Sequence, residues 1–347
     1  MDENVETEPL LNTTPEPTVF NNIISILIKH KKLVIVSVIV SSWILIGTFL
    51  LLCFLVFVPS NVPVPNQTII RVLSLSVWGS PASFGVLDKQ ERMEAIGEYI
   101  RDHNDTLDVV ILQELWMRPD HATILSYLHG TGLSMTSVGD LAPAVCDGRA
   151  APTYCSGLAL ITRFPIIDTS FTSFSVHGDF WWWDGEYEAR KGIGRVSVET
   201  SVNTTVEIFL TSLAANDYNS YYRQIQAAEF GTALSKSTAD YVIAGANIEV
   251  DPRTSESSYK DIIKGVTDSR HEALGDENWL DSSIATYGNE KNTYSGRAGP
   301  LLYDYLLHKA SKHRNMKITR YKVPILKTKK GNSFSNHEAV HCIYNLL

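Results

Sequence analysis

The chain has 347 residues, 44% of which are hydrophobic, a composition ordinary for a globular protein that buries a sizeable core. This length allows one large domain or two small ones. The formal net charge of −8 disfavours sequence-independent binding of nucleic acid, which depends on Lys and Arg side chains that neutralise phosphates. A nuclease-like role is disfavoured on the same ground.

The N-terminal segment is acidic and contains several prolines. Residues 1–20 hold five acids, three prolines and no Lys or Arg, so they cannot bury enough apolar surface to become ordered. We predict a disordered cytosolic tail over residues 1–32. Within it Glu6, Leu10 and Leu11 resemble the acidic dileucine signals that sorting adaptors read in endolysosomal membrane proteins, a short pattern that also arises by chance.

An uncharged apolar segment follows the tail. Residues 33–58 are 26 residues without a charged side chain, which is long enough to cross the hydrocarbon core of a bilayer. Because 32 residues precede it, a retained signal anchor fits better than a cleaved signal peptide. Lys29, Lys31 and Lys32 lie directly before it, so the positive-inside rule predicts a single-pass type II membrane protein. The chain beyond it would face the lumen or the outside, in endolysosomes or at the plasma membrane.

Modification signals in the rest of the chain agree with that side of the membrane. Sequons for N-glycosylation occur at Asn66, Asn104 and Asn203. Cys146 and Cys155 lie close together in a predicted loop and would form a disulfide in an oxidising compartment, the alternative being two free thiols. We predict a linker over residues 59–68 and one folded domain over residues 69–347.

Short strands and amphipathic helices follow each other through this domain without strict alternation. Strands are predicted over residues 69–77, 108–113, 157–161, 193–198, 206–213, 241–246, 303–307, 318–323 and 339–344. Helices are predicted over residues 89–103, near Thr123, and over 221–235 and 259–263. This order favours two packed sheets with helices outside, although periodicity does not distinguish such a sandwich from a doubly wound sheet.

Three side chains are candidates for a catalytic site. Glu114 follows the apolar run 109–112, at the carboxyl end of a buried strand, where an acid suits a hard cation such as Mg²⁺. The alternative is an ordinary strand-end acid paired with a surface base. Asp304 lies between two tyrosines in a short apolar strand and His337 begins another, and an aspartate that orients an imidazole is a recurring arrangement. Their sequence positions alone do not bring these two side chains into contact.

The order of several short motifs resembles the endonuclease/exonuclease/phosphatase superfamily, and within it the membrane-bound neutral sphingomyelinases. The similarity covers residues 70–344. The motifs are RVLSLSVWGSP from Arg71, ILQELW from Ile111, GLALITRFPI from Gly157, HGDF from His177, KGIG from Lys191, FLTSLAA from Phe209, YRQIQAAEF from Tyr222, ADYVIAGANIEVDP from Ala239, YDYLL from Tyr303 and SNHEAV from Ser335. The last two are similar to the family's IDYxL and SDHEAL. Each motif alone is weak, but the ordered set is specific.

The resemblance implies both a fold and an activity. The fold is α+β, a four-layered α/β/β/α sandwich of the DNase I type, placed here after one N-terminal transmembrane helix. The activity is Mg²⁺-dependent cleavage of a phosphodiester, and sphingomyelinases release phosphocholine from membrane sphingomyelin. By position in the motifs, Glu114 matches the metal ligand, Asp304 the aspartate that orients the histidine, and His337 the catalytic histidine. Lys191 matches the family's lysine and would pair with phosphate, the alternative being a solvated surface charge.

The chain departs from the family pattern at several of these positions. Ser76 stands where the family has asparagine, Ser212 where it has a phosphate-binding histidine, and Asn336 where SDHEAL has aspartate. In the strand that ends in GDxN the acid and the amide have exchanged places, which gives Asn247 and Glu249. Glu249 is therefore a candidate second metal ligand beside Glu114.

These substitutions leave two functional hypotheses open. A sphingomyelinase-like phosphodiesterase would act on sphingomyelin or a related choline phospholipid with weakened or lost turnover, because each charge-stabilising group contributes about 10²- to 10³-fold. The alternative is an inactive pseudoenzyme that binds lipid headgroups or a protein partner. Trp181, Trp182 and Trp183 are candidates for contact with the bilayer interface, unless some of these rings complete the core.

Overall fold

The computed structural model describes residues 43, 68–80, 85–143, 155–178, 185–201, 204–294 and 299–347. The chain divides into two units, Met1–Val62 and Pro63–Leu347, and Trp43 is the described residue of the first. Among the described residues, no helix has the length and apolar character needed to cross a bilayer. Apart from Trp43 and Thr68, the predicted tail, membrane anchor and linker lie outside the described residues, as do Glu6, Leu10 and Leu11.

The domain is built on two six-stranded mixed sheets. The first has the order β11-β12-β1-β2-β4-β3. Its strands are β1 (Ile69–Ser76), β2 (Val109–Gln113), β3 (Ser134–Met135), β4 (Ala159–Thr162), β11 (Met316–Lys322) and β12 (Val340–Leu346). β1 is parallel to β2 and antiparallel to β12, so the two outermost segments of the domain pair at its centre.

The second sheet has the order β5-β6-β7-β8-β10-β9. Its strands are β5 (Ile166–Ser173), β6 (Gly192–Ser201), β7 (Thr204–Ser212), β8 (Tyr241–Asn247), β9 (Thr267–Asp268) and β10 (Asp304–Ala310). β7 and β8 are parallel, and the other pairs are antiparallel. Each sheet therefore has one parallel pair at its centre.

Five helices accompany the sheets in the described part of the chain. They are α1 (Lys89–Asp102), α2 (Arg118–Ser126), α3 (Ser220–Lys236), α4 (Ser258–Ile263) and α5 (Ser269–Leu274). α1 buries Met93, Ile96 and Ile100 at helical spacing, and it carries Glu91 in its first turn and Arg101 in its last, which complements the helix dipole. Short 3₁₀ turns occur at Asp217–Asn219 and Ser282–Ile284.

Three apolar clusters hold the layers together. The first joins the facing sides of the two sheets, for example Val72 and Ile111 with Ile208 and Ile243. A second fills the space between the first sheet and α1 and α2, and a third does the same between the second sheet and α3 and α4. The predicted four-layered α/β/β/α arrangement is confirmed for the described residues, and the doubly wound alternative is wrong because the strands form two sheets.

Close approach between the sheets depends on Gly245 in β8. A Cβ atom added there would lie 2.7 Å from Ile111 Cδ1 and 2.9 Å from Ser74 Oγ, both in the opposite sheet. Both distances are shorter than a van der Waals contact. Glycine at this position therefore sets how closely the backbones of the two sheets pack.

Every predicted strand overlaps an observed one, and the predicted helices match α1, α2, α3 and α4. The sequence reading missed β5, β3, β9 and α5. β5 lies at the edge of its sheet and buries none of its side chains completely, so its sequence lacks an apolar alternation. β3 and β9 have two residues each, too few for a periodic pattern.

His341 in β12 makes the stability of the domain depend on pH. Burial, together with the positive charges of Lys322, Arg320 and Arg71, lowers its pKa from 6.5 to about 4. Between pH 6.5 and 4, His341 is protonated in the unfolded chain and neutral in the folded chain. The contribution of the neutral His341 to the free energy of unfolding is therefore complete above pH 6.5 and is lost as the pH falls towards 4. We expect the free energy of unfolding to fall by up to about 3 kcal/mol over this range.

Denaturant titrations of the wild type and of His341→Asn at several pH values measure this effect. The variant should show a smaller fall in the free energy of unfolding between pH 6.5 and 4. His129→Asn, at an exposed histidine, is the matched control and should keep the wild-type slope. Equal slopes for His341→Asn and the wild type would contradict the prediction.

Candidate active site

The candidate residues lie at the carboxyl ends of the two parallel strand pairs. β1 ends at Ser76, which is in register with Gln113, the last residue of β2. β7 ends at Ser212, which is in register with Asn247, the last residue of β8. Helix α1 connects the first pair and α3 the second, so each sheet contributes one β-α-β unit. The two units meet at the same edge of the sandwich, where ligands of open sheets commonly bind.

Each unit places one glutamate just beyond its second strand. Glu114 directly follows β2, and Glu249 lies two residues beyond β8. Both have left-handed backbones, with φ of 59° and 54°. Trp78 and Asn216, beyond β1 and β7, also have positive φ, of 50° and 66°. Such conformations are unfavourable for residues with a Cβ atom, and they cluster at functional sites, where the surrounding structure maintains them.

The glycine of the VWGSP segment supports the backbone of Glu114. The Gly79 amide donates to the Glu114 carbonyl oxygen at 3.0 Å. A Cβ atom at Gly79 would lie 2.5 Å from that same oxygen, so a larger residue would displace the strand end that carries the carboxylate. The motif that begins in β1 therefore has a structural role in the site.

Glu114, Glu249 and His337 converge on one point. One ligand atom from each lies within 4.8 Å of the other two. His337 Nε2 is 3.7 Å from Glu249 Oε1, and the side chains of His337 and Glu249 are 3% and 13% exposed. The predicted pair of glutamates and the predicted histidine thus share one largely buried cluster.

Asp304 fixes the orientation of His337. The two side chains are 2.7 Å apart, and since a carboxylate only accepts, His337 Nδ1 donates to Asp304 Oδ2. This leaves Nε2 facing the glutamates. Burial alone would lower the pKa of His337, but the charge and hydrogen bond of Asp304, together with Glu249 and Glu114, raise it to about 9. The ring is therefore held protonated in this arrangement.

The two glutamates lie in surroundings that favour a cation. Burial raises the pKa of Glu114 and of Glu249, the charge of His337 opposes this rise, and the negative charge of Glu249 adds to it at Glu114. Two buried carboxylates close together repel each other unless positive charge lies between them. Carboxylate and amide oxygens are the ligands that Mg²⁺ prefers.

Asn247 is the amide of the exchanged pair, and Glu249 is the acid. Its Nδ2 donates to Glu114 Oε1 at 3.1 Å and to Ser76 Oγ at 3.4 Å. Its Oδ1 is buried and has no hydrogen-bond partner among the described residues, and the same holds for Ser212 Oγ. A buried acceptor without a partner beside two carboxylates fits a divalent cation or its bound water, so these residues suit the metal that the sequence predicts.

The other predicted positions contribute less directly. Lys191 is buried, and its Nζ donates to Glu186 Oε1 at 2.8 Å and to the Leu213 carbonyl at 2.7 Å, so an acid already pairs with its charge. Asn336 is half-buried, and its Oδ1 accepts from Ser335 Oγ at 3.1 Å. Asp251, two residues beyond Glu249, is an acid that could also offer an oxygen to a metal ion, but its carboxylate accepts from Arg253.

Sequence reasoning missed two tyrosines beside His337. The ring of Tyr287 lies 4.9 Å from the imidazole, and that of Tyr303 lies 6.4 Å away. Tyr303 could have been recognised from the sequence, because it stands where the family pattern IDYxL has isoleucine. Tyr287 belongs to no motif, and its position beside His337 depends on backbone bridges to Leu301 and His337, which the sequence does not indicate.

Several predictions fall on residues that the structure does not describe. These are Cys146, Asn66, Asn203 and the three tryptophans Trp181, Trp182 and Trp183. Cys155 is buried, and its pairing with Cys146 stays a prediction. Asn104 is half-buried and donates through Nδ2 to the Arg101 carbonyl at 2.7 Å, and its glycosylation likewise stays a prediction.

The arrangement agrees with a comparison against known families. Residues 73–320 match the Endonuclease/Exonuclease/phosphatase family. The chain belongs to this family. The resemblance that its motifs indicated is therefore confirmed.

Two curated relatives of this family member have names that refer to sphingolipids. A Drosophila melanogaster protein named "Putative neutral sphingomyelinase" is 26% identical over 293 residues, which are 78% of this chain and 59% of that protein. "Inositol phosphosphingolipids phospholipase C" of Schizosaccharomyces pombe is 27% identical over 147 residues, which are 42% of this chain and 31% of that protein. The matched regions thus span less than two thirds of either relative.

Several solved structures share the fold. D. rerio TDP2 complexed with single strand DNA product superposes with a TM-score of 0.61 at 15% identity, covering 80% of this chain and all of that one. Beta toxin from Staphylococcus aureus with bound magnesium ions gives a TM-score of 0.55 at 16% identity, covering 80% of this chain and 99% of that one. Identities this low show the shared fold alone.

Proposed function

We propose that this chain is a divalent-cation-dependent phosphodiesterase that cleaves the headgroup of a sphingolipid, sphingomyelin or a related choline phospholipid. The observation that carries the proposal is the convergence of Glu114, Glu249 and the Asp304-bound His337 in one largely buried cluster. The names of the two curated relatives support a sphingolipid substrate. The uncharged segment 33–58 supports action at a membrane surface.

The residues of the cluster take distinct roles in this proposal. Glu114 and Glu249 would hold Mg²⁺, with the orphaned Asn247 Oδ1 beside them. The ion would supply positive charge against phosphate oxygens, which become more negative in the transition state. His337 presents Nε2–H to a phosphate oxygen or to the leaving oxygen, and Asp304 keeps the ring in that orientation.

Headgroup release from vesicles tests this function. The full-length chain in detergent is added to vesicles that contain sphingomyelin, with Mg²⁺, Mn²⁺ or a chelator, and released phosphocholine is measured. We expect release that requires the divalent ion and that Glu114→Ala and His337→Ala each abolish. Single-stranded DNA serves as the competing substrate. Absence of headgroup release from any sphingolipid, or faster cleavage of the DNA, would overturn the proposal.

A second candidate function is binding without turnover. It is favoured by the hydrogen bond from Asn247 Nδ2 to Glu114 Oε1, which occupies an oxygen that a metal ion would need, and by the pairing of Lys191 with Glu186. A pseudoenzyme of this kind would bind lipid headgroups or a protein partner. In the vesicle assay it would bind to sphingolipid vesicles and release no headgroup under any ionic condition.

A further inference from the structure

Thr286 is hydrogen-bonded to the main chain on both sides of the Asp304–His337 pair. Its Oγ1 accepts from the backbone amides of Tyr303 and Asp304, at 2.9 Å and 3.0 Å. Its backbone carbonyl accepts from the amide of Glu338, the residue after His337, at 2.7 Å. One residue therefore contacts the main chain of both segments that carry the pair.

The Thr286 hydroxyl supplies an acceptor at the start of β10, where a neighbouring strand is missing. β9 pairs with β10 at Leu307 and His308, so this pairing does not include Asp304. Asp304 is buried, and a buried amide without an acceptor is unfavourable. The hydroxyl therefore fixes the backbone from which the Asp304 carboxylate extends.

The Thr286 carbonyl fixes the main chain beside His337. The pairing of β12 with β1 begins at Val340, so it does not include His337. The backbone here is held by the bond from the Glu338 amide to Thr286 and by the bridge between His337 and Tyr287. Both backbones are thus tied to the segment around Thr286. The 2.7 Å distance between His337 Nδ1 and Asp304 Oδ2 depends on this segment.

We propose that Thr286 is a positioning residue that holds Asp304 and His337 at hydrogen-bonding distance. Thr286 is 0% exposed, so it cannot touch a substrate and would act through the pair alone. This inference rests on the proposed function, in which His337 presents Nε2–H to the phosphate ester. A misplacement of about 1 Å caused by a residue outside the chemistry can cost about 10²-fold in rate.

The imidazole proton of His337 tests the positioning without any turnover. The full-length chain, isotopically labelled at its histidines, is studied by NMR in detergent without Mg²⁺. The Nδ1–H that donates to Asp304 should give a proton resonance at low field, assigned by its loss in His337→Asn. Thr286→Val keeps the shape of the side chain but removes the acceptor. We expect the resonance to move to higher field or to disappear through exchange with water.

Three further variants complete this measurement. Thr286→Ser keeps the hydroxyl and should keep the resonance. Thr286→Cys offers only a weak sulfur acceptor, so it should show the same change as Thr286→Val and gives a result if that variant fails to fold. Thr136→Val is the matched control, because Thr136 is also buried and its Oγ1 accepts from the Leu160 amide at 3.0 Å, beside the edge strand β3. It should keep the resonance of His337.

Two results of the NMR measurement would overturn the role of Thr286. One is a wild type without the low-field resonance, since Asp304 and His337 would then not be held together. The other is an unchanged resonance in Thr286→Val, or in Thr286→Cys where the valine variant does not fold.

Rates of phosphocholine release separate this inference from the proposed function. Thr286→Val should lower kcat about ten- to a hundred-fold with KM for sphingomyelin nearly unchanged, and Thr286→Ser should retain most of the wild-type kcat. If the wild type releases no headgroup, the proposed function fails while the His337 resonance still decides the role of Thr286. If the wild type cleaves sphingomyelin and Thr286→Val keeps its kcat, the positioning role fails and the phosphodiesterase stands.

Discussion

Glu249→Gln is expected to lower Mg²⁺-dependent headgroup release by about 10²- to 10³-fold, the loss typical of one well-placed charge-stabilising group. Glutamine has nearly the same shape but no charge, so Glu114 would be the remaining carboxylate of the cluster. The Mg²⁺ concentration for half-maximal rate should rise as well. Both quantities come from rates of phosphocholine release measured over a series of Mg²⁺ concentrations.

The rate of Glu249→Gln shows whether the exchanged acid Glu249 serves as a metal ligand or whether metal binding has been lost with the exchange. Glu277→Gln removes a charge from an exposed glutamate and is the matched control, with the wild-type rate expected. Because Glu249 and Glu114 would hold the same ion, combining Glu249→Gln with Glu114→Gln should cost little more than the worse single variant. A wild-type rate and Mg²⁺ dependence in Glu249→Gln would show that the exchanged acid does not hold the ion.

Asp304→Asn is expected to lower the rate by about 10³- to 10⁴-fold, because the neutral amide no longer keeps the His337 ring protonated and does not fix the tautomer of the neutral ring. The amide is neutral and can present either an acceptor or a donor to His337 Nδ1, so Nε2–H is no longer held toward the glutamates. The defect should appear in kcat, with KM for sphingomyelin nearly unchanged. Steady-state kinetics on vesicles separate the two parameters.

The chain offers a matched control for this aspartate. His271 Nε2 and Asp276 Oδ1 form a similar pair at 2.5 Å on the surface, where the Asp276 side chain is 91% exposed. Asp276→Asn should therefore leave the rate unchanged. If Asp304→Asn raised KM and left kcat intact, Asp304 would serve substrate binding instead of the orientation of His337.

Local sequence predicted the elements of the fold well where they bury apolar side chains. Strands such as β2 and β8 have uniformly buried residues, so an apolar run indicates them directly. The strand β5 was not predicted because an edge strand with half-buried side chains has no such apolar run. The choice between a sandwich and a doubly wound sheet depended on long-range pairing, such as β1 with β12, which no local pattern records.

The candidate site was predictable in its residues and not in its contacts. Motif order indicated Glu114, Asp304 and His337, and the exchange at Asn247 and Glu249 indicated a second acid. Contacts set by tertiary packing were not predictable. The pairing of Lys191 with Glu186 is one case, because the sequence reading assigned that lysine to phosphate or to solvent. The position of Tyr287 is another, because Tyr287 reaches His337 through a bridge between distant segments.

The close packing at Gly245 has a consequence for metal affinity. Glu114 follows a strand of one sheet and Glu249 follows a strand of the other, so the gap between the two carboxylates depends on the spacing of the sheets. Gly245 lies two residues before Asn247 on the strand that leads to Glu249, and it contacts the strand that leads to Glu114. If the cluster holds a metal ion as proposed, its selectivity for ions of different radius would thus depend partly on Gly245, a residue of the hydrophobic interior that the ion does not contact.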